Sequence, residues 1–343
     1  MDHLYRTDAM LGAIRSLKRP KPWILETYFP LVQTEESEEI HFDVEIGKRK
    51  LAPFVAPTAQ GVIVERNGFQ TNTFRPAYIK QKTPLRPGAA LRRAMGEQLG
   101  GGQLTAAQRQ AANLAQTLYD HVDRITRRLN HMATEALVSG TVTVKGEGYA
   151  PHVVNFGRSS DLSIALTGVD KWDDEDADPI RDIEEAIELV HEIEGASIYR
   201  VTMDPVAWRL FKANRRVQAI LDNRRAAGAN TAEFGGLDLA KGAQFGGTFG
   251  SFEVWIYSEF YEDPDTGETK PVLPAGTVIG ASDDMQGVRA FGAIHDEEAG
   301  IQALEFFPKS WVEKDPGVRF VMTQSAPLVV PTRPNASFCM TVI

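Results

Sequence analysis

The chain has 343 residues, of which 43% are hydrophobic and 24% are charged. These are the proportions of an ordinary globular protein, so the sequence predicts a sizeable core, arranged in two interleaved lobes, and argues against disorder. The formal net charge of -9 argues against a general nucleic-acid-binding protein, because phosphate contacts require a basic surface.

The sequence has few features that indicate a cellular compartment. The chain has no run of about 18 or more apolar residues, and charges interrupt its N-terminus where a signal peptide needs an apolar stretch. We therefore expect a protein that stays in a cytosol-like compartment and contacts no membrane. The single cysteine, Cys339, excludes an internal disulfide and a zinc site of paired cysteines, and we expect it to be buried in a C-terminal strand.

Residues 1–50 are predicted to form an N-terminal arm with an extended course. Apolar residues at helical spacing predict one short helix near its start: Leu4, Leu11, Ile14 and Leu17. Prolines then exclude a long helix: Pro20, Pro22 and Pro30.

Residues 51–100 alternate short apolar stretches with turn residues, which predicts a long two-stranded excursion. The dipeptide Asn67-Gly68 suits the positive φ angles of a hairpin turn. The stretch from Arg66 to Arg93 contains seven basic residues and no acid. A ribbon with so few core-forming residues is marginal alone, so we expect it to lie on another surface.

The pattern changes after three glycines at 100–102. Apolar residues then recur in steps of three and four from Ala107 to Ala136, which predicts one long helix over residues 105–138. Thr105 and Gln108 have the spacing of a capping box, and Gly140 is expected to end the helix. Such a helix is about 50 Å long at 1.5 Å per residue.

Residues 141–156 predict a β-hairpin, because the segments TVTVK and HVVNF flank two glycines. Helices are predicted to begin at Asp178-Pro179 and at Asp204-Pro205, where an N-cap acid precedes proline in the first helical position. Four later segments are rich in β-branched and aromatic residues and predict strands: 252–258, 277–282, 288–296 and 319–330. The predicted class is α+β.

The sequence contains no motif that indicates an enzyme. The patterns GxxxxGK[ST], GxSxG and HExxH are absent, and the seven histidines lack metal-ligand spacing, so we expect them at surface or half-buried positions. Asp174, Asp176, Asp178 and Glu185 have part of the spacing of a calcium loop. Pro179 occupies the position where that loop needs glycine, so we interpret this run as a solvated acidic segment that leads into a helix. We expect no catalytic residue, metal or cofactor.

Two blocks of opposite charge remain. The stretch from Arg66 to Arg93 is wholly basic, whereas Asp161 to Glu194 contains thirteen acids against Lys171 and Arg181. Such blocks either steer one subunit onto another or form two independently solvated faces.

Four segments carry a resemblance that covers most of the chain: RNGFQTNTFRPAYIKQKTPL (66–85), DPVAWRLF (204–211), LPAGTVIGASDDMQGVRAFGAIHD (273–296) and KSWVEKDPGVRFVMTQSAPL (309–328). Together with the arm, the basic ribbon and the long helix, they resemble the lambda-type major capsid proteins of tailed bacteriophages, the phage major capsid protein E family. The resemblance implies the tailed-phage capsid (Hong Kong 97-type) fold.

The resemblance also implies a division of the chain, listed here by residue range: N-terminal arm 1–50, extended loop 51–100, peripheral domain 101–177 with its spine helix, axial domain 178–308, and a return to the peripheral domain over 309–343. In this family the loop reaches over a neighbouring subunit. We therefore expect inter-subunit contacts from five basic residues: Arg66, Arg75, Lys80, Lys82 and Arg86. Covalent cross-linking through Lys80 or Lys82 is not expected, because the family generally does not cross-link.

The implied function is self-assembly into an icosahedral head shell that encloses double-stranded DNA, with pentamers and hexamers built by axial domains. Implied partners are a scaffold protein, a portal, a decoration protein and non-specifically enclosed DNA, and the implied location is the virion head, assembled in the bacterial host cytoplasm. Two alternatives stay open from the sequence: an encapsulin-like compartment of the same fold, and a soluble α+β hydrolase.

Overall fold

The architecture is given by a computed structural model that describes residues 2–17, 22–37, 39–46, 51, 54, 60, 68–86, 105–146, 148–219, 242–299, 303–315 and 317–343. The α-helices in this part of the chain are α1 (Thr7–Ser16), α2 (Trp23–Tyr28), α3 (Ala106–Ser139), α4 (Pro179–Ile193) and α5 (Pro205–Ala213). The strands are β1 (Leu31–Thr34), β2 (Ile40–Ile46), β3 (Gly68–Phe74), β4 (Ile79–Leu85), β5 (Thr141–Gly146), β6 (Tyr149–Asn155), β7 (Ser163–Ala165), β8 (Arg200–Met203), β9 (Ala243–Phe249), β10 (Phe252–Tyr257), β11 (Phe260–Glu262), β12 (Thr269–Pro271), β13 (Thr277–Ala281), β14 (Gly287–Phe291), β15 (Phe307–Glu313), β16 (Val318–Ser325), β17 (Pro327–Pro331) and β18 (Ser337–Thr341). The predicted α+β class is confirmed.

Helix α3 confirms the predicted spine helix to within one residue at each end. The Gln108 N–H donates to the Thr105 hydroxyl at 3.2 Å, and the Thr105 N–H donates to the Gln108 side chain at 2.8 Å, which completes the capping box. Gly140 has φ 69° and ends the helix in the left-handed conformation that glycine adopts without a Cβ clash. One face is buried in the main core along its length: Leu114, Leu118, Val122, Ile125, Leu129, Met132 and Leu137.

The N-terminal segment contains helices that pack on this core, so the prediction of an extended course is wrong for residues 2–17 and 22–29. The predicted short helix is present as α1, and α2 follows it. Trp23 packs on Trp255 with ring centroids 5.2 Å apart, and the Tyr28 hydroxyl lies 2.8 Å from the Thr202 hydroxyl. Strand β1 then pairs in parallel with β14. Buried aromatic rings fix this segment because they remove much apolar surface from water.

Strands β2 and β3 form the predicted two-stranded ribbon, with Ile40 opposite Phe74 at one end. The ribbon begins earlier than expected, within the range assigned to the arm. Gly68 lies in a strand opposite Ile46, and Phe69 lies opposite Glu45. The prediction of a hairpin turn at Asn67-Gly68 is therefore wrong, because the partner strand lies much earlier in the chain.

Strands that are distant in sequence make up the sheets. The largest has the order β7-β18-β13-β8-β10-β9, and two three-stranded sheets have the orders β1-β14-β17 and β15-β16-β4. Strand β5 pairs with β6 as the predicted hairpin. The strand predicted over 319–330 is two strands in different sheets, divided at Ala326, and the one predicted over 288–296 ends at Phe291. Sheets cross both expected boundaries, near 178 and near 308.

The two predicted helix starts in the second lobe are confirmed. The Asp178 carboxylate accepts a hydrogen bond from the Arg181 N–H at 3.4 Å, and proline follows it in the first turn of α4. Asp204 accepts from the backbone N–H groups of Val206 and Ala207 at 2.8 and 2.9 Å and so caps α5. Helix α4 has an exposed acidic face and a buried apolar face.

Candidate assembly interface

The basic side chains of strand β4 lie on one face of the β15-β16-β4 sheet. Lys80 and Lys82 are exposed, while the alternate residues Ile79, Gln81 and Thr83 are half-buried. In the register of the sheet, Lys82 lies opposite Met322 of β16. Because alternate residues of a strand share a face, both lysines point away from the body of the chain.

Two aromatic rings support Lys82 on that face. Its ammonium group lies 4.0 Å from the centre of the Phe320 ring and 5.0 Å from the centre of the Trp311 ring. The two rings stack with centroids 5.7 Å apart. Cation–π attraction holds the lysine in place without neutralising its charge. We call the surface formed by Lys80, Lys82, Trp311, Phe320 and Met322 the cationic sheet face.

Two of the remaining predicted contact residues lie in the chain segments next to strand β4. Arg75 follows β3 and is exposed, and its backbone carbonyl accepts a hydrogen bond from the Tyr149 hydroxyl at 2.8 Å. Arg86 follows β4 and is also exposed. Arg66 lies outside the described residues. The structure thus brings Lys80 and Lys82 together on one strand and leaves Arg75 on the preceding connection.

His121 of α3 fixes the opposite side of strand β4. One ring nitrogen, Nε2, lies 2.8 Å from the Thr83 hydroxyl of β4, and the other, Nδ1, lies 3.0 Å from the Thr323 hydroxyl of β16. The side chain is 1% exposed, and burial lowers the pKa of His121 to about 4. His121 therefore bonds two strands to the spine helix as a neutral ring.

His121 was expected at a surface or half-buried position, so the prediction for this residue is wrong. A signal was present: residue 121 lies three positions after Leu118 and four before Ile125, on the apolar stripe of the helix. A histidine on such a stripe needs hydrogen-bond partners at both nitrogens, and these come from strands far away in sequence.

The acidic block leads into and covers part of helix α4. Glu184, Glu185 and Glu188 are exposed, whereas Asp182 is buried and accepts a hydrogen bond from the Trp172 indole N–H at 3.1 Å. Burial raises the pKa of the Asp182 carboxyl. Arg181 pairs with Glu185 at 3.5 Å. This block thus contains a structural carboxyl and an exposed acidic surface.

The described residues contain no group of three or more histidine, cysteine or acidic side chains that could hold a metal ion. Cys339 is buried, as expected, and burial raises the pKa of its thiol to about 11, which disfavours the reactive thiolate. No helix in the described ranges has the length and apolar character needed to cross a bilayer. What this part of the chain does present is exposed, charged sheet and helix surface.

Solved structures identify the fold. A putative capsid protein of an Escherichia coli CFT073 prophage aligns with a TM-score of 0.73 and 21% identity, over 98% of this chain and 99% of that one. The capsid of Ralstonia phage GP4 aligns with a TM-score of 0.51 and 14% identity, over 94% and 91%. The chain therefore has the tailed-phage capsid fold, the class of proteins that build phage head shells.

Sequence comparison gives the family. Residues 6–342 match the phage major capsid protein E family, so the chain belongs to that family. It is similar to the major capsid proteins of Escherichia phage lambda and Enterobacteria phage phi80, with 28% identity to each and 97% of both chains covered. Its function is that of a major capsid protein, which the family match favours over the encapsulin-like compartment and the hydrolase.

Proposed function

We propose that copies of this chain tile an icosahedral head shell, as pentamers and hexamers, through the β2–β3 ribbon and the basic residues that follow it. The observation that carries this mechanism is the ribbon itself. Its two strands form a sheet of their own, and a lone two-stranded sheet is marginally stable in water. One end of the ribbon is buried in this chain's own core at Ile40 and Phe74, and in this mechanism a neighbouring copy supplies a surface for the rest.

The basic residues give that contact its register. Lys80, Lys82, Arg75 and Arg86 are all exposed, and the first two have no carboxylate within ion-pair distance among the described residues. Exposed like charges raise the rate of association with a complementary surface and disfavour wrong registers. We assign Arg66 to the same contact from its position in the sequence.

The domain roles in this mechanism follow the family. Residues 51–100 act as the extended loop, 101–177 and 309–343 as the peripheral domain around α3, and 178–308 as the axial domain at the centres of pentamers and hexamers. Copies repeat heterologous contacts whose rotation closes, which produces a shell. The role is structural and requires no catalytic residue.

The shell's other partners belong to this proposal. A scaffold protein guides assembly in the host cytoplasm, a portal occupies one vertex, and a decoration protein reinforces the outside of the virion head. The double-stranded DNA is enclosed without sequence preference, because a chain with net charge -9 repels the polymer weakly and lets it slide.

Charge reversal at the basic residues tests the mechanism. The variant Arg75→Glu/Lys80→Glu/Lys82→Glu, co-expressed with the scaffold from the same phage genome, is expected to yield folded subunits and no shells. Circular dichroism and thermal unfolding check folding, and negative-stain electron microscopy with sedimentation measures shells. Arg209→Glu/Lys212→Glu reverses two exposed basic residues of α5 and serves as the control. Shells of normal size and yield from the triple variant contradict the proposed contact.

A further inference from the structure

Two pairs of like charges are exposed and have no oppositely charged partner among the residues that the structure describes. Lys80 and Lys82 lie on the cationic sheet face, and Glu184 and Glu188 lie on helix α4. Within the part of the chain that the structure describes, none of these four side chains has an ion pair. Each pair repels itself, so each is more stable next to the opposite charge.

The spacings of the two pairs match. Residues two apart on a strand are separated by about 6.4–6.8 Å along the strand. Residues four apart on a helix are separated by about 6 Å along the helix axis. A helix laid along strand β4 therefore places Glu184 and Glu188 beside Lys80 and Lys82 at the same time.

The cationic sheet face also has the apolar centre that an interface needs. Trp311, Phe320 and Met322 are each partly exposed, next to the two lysines. Protein interfaces combine such an aromatic centre with a charged rim, and tryptophan is enriched among the residues that contribute most to binding.

We propose that the cationic sheet face of one copy docks on the acidic face of helix α4, at Glu184 and Glu188, of a second copy. The proposal rests on the proposed function and names the partner surface of the basic residues. The contact is heterologous, because a sheet meets a helix. Each copy therefore presents one cationic sheet face and one acidic helix face, and repeated contacts between copies can close into a ring.

A basic surface with aromatic rings also suits single-stranded nucleic acid. The observations favour a second copy, because the complementary surface with matching spacing is present on the same chain. Loss of nucleic acid from normally formed shells in the variants below would indicate the other partner and would overturn the proposal.

Charge reversal on both sides gives the first test. In co-expression with the scaffold, Lys80→Glu/Lys82→Glu and Glu184→Lys/Glu188→Lys are each expected to lower the yield of shells by roughly tenfold or more. The combined four-residue variant is expected to recover most of the yield, because the pairs are restored with opposite polarity. Asp170→Lys/Asp173→Lys reverses two exposed acids of the same acidic block and should assemble as the wild type does.

The outcomes separate this inference from the proposed function. Single-side variants that assemble normally, or a combined variant that recovers nothing although it folds, overturn the docking of sheet on helix while wild-type shells still support the capsid function. A wild-type chain that forms no shells with its scaffold contradicts the proposed function itself.

Chemical cross-linking gives a second readout that does not depend on yield. The native Cys339 is 5% exposed, so it contributes little background. Shells of Lys82→Cys/Glu188→Cys treated with a short bismaleimide are expected to give a ladder of covalent oligomers on a denaturing gel. Lys82→Cys alone and Glu188→Cys alone should give none. Intact shells of the double variant without a ladder overturn the proposal.

Discussion

The spine helix and the β2–β3 ribbon are stabilised in different ways. Helix α3 has its caps, its backbone hydrogen bonds and a buried face within one chain. The ribbon has backbone hydrogen bonds between its two strands, and in the described ranges neither strand pairs with any other. The first element is complete in the subunit, whereas the second, in the mechanism that we propose, is completed by a neighbouring copy. If so, this protein separates the part that folds from the part that assembles.

The largest expected effect is on the buried face of α3. Leu118 is fully buried, so Leu118→Ala is expected to lower the free energy of unfolding by about 3–5 kcal/mol, through lost burial and a cavity. Chemical denaturation of unassembled subunits measures this change. Val153→Ala, at an exposed position of β6, is the control and should cost much less. A loss below about 1 kcal/mol at Leu118 contradicts the assigned packing.

The next effect concerns pH and the junction between α3 and strand β4. The pKa of His121 is lowered to about 4 by burial, while an unfolded histidine titrates near about 6.5. Between these values the unfolded state binds a proton that the native state does not. The free energy of unfolding should therefore fall as the pH falls from about 6.5 to about 4, by roughly 3 kcal/mol at most, and then level off.

Denaturation curves of the unassembled subunit between neutral and acidic pH measure this dependence. His121→Gln is expected to remove the fall in unfolding free energy between about pH 6.5 and about pH 4. His41 is exposed, so His41→Gln serves as the control that keeps this fall. If His121→Gln leaves the pH dependence unchanged, His121 is not held as a neutral ring.

A smaller effect is expected at the start of the spine helix. Thr105→Ala removes the side chain that accepts from the Gln108 N–H, which should cost about 1 kcal/mol of unfolding free energy. Thr105→Ser keeps the hydroxyl and should stay close to the wild type. An alanine variant as stable as the serine variant would show that the capping box contributes nothing to this helix.

The smallest effect is expected in the ribbon. The exposed hydroxyl of Thr73 lies 3.1 Å from Nδ1 of His41 across the two strands. Thr73→Ala should change the free energy of unfolding of the unassembled subunit by less than about 0.5 kcal/mol. Thermal unfolding at several scan rates measures it. A loss as large as that of Leu118→Ala would mean that the ribbon is part of the cooperative fold and that the comparison fails.

Local signals made part of the fold predictable from the sequence. The start of α3 at a capping box and its end at Gly140 were predicted to within one residue. The starts of α4 and α5 were predicted from Asp178-Pro179 and Asp204-Pro205. These predictions succeeded because cap residues interact with backbone groups only two or three positions away.

Contacts between distant residues explain the failures. The dipeptide Asn67-Gly68 has good hairpin chemistry, but Gly68 lies in a strand and is opposite Ile46. The N-terminal segment was expected to be extended, yet Trp23 and Tyr28 find partners at Trp255 and Thr202. No local pattern identifies partners that lie hundreds of residues away.

The candidate interface was also predicted only in part. Charge alone placed Lys80 and Lys82 in a common basic block. The aromatic contacts of Lys82 could not be predicted, because Trp311 and Phe320 lie on strands β15 and β16, which join β4 in one sheet only after folding. The acids of α4 were visible as a block, but the proposed docking depends on comparing the spacing of Glu184 and Glu188 with that of the lysines on strand β4.

Strand β18 has a consequence for the order of events during synthesis. It lies between β7 and β13 in the six-stranded sheet, and both neighbours precede it in the sequence. A nascent polypeptide therefore lacks an interior strand of its largest sheet until Thr341 has left the ribosome. We therefore expect partly translated copies to be unable to build shells, so that each subunit joins a growing particle only after its own translation has passed this strand.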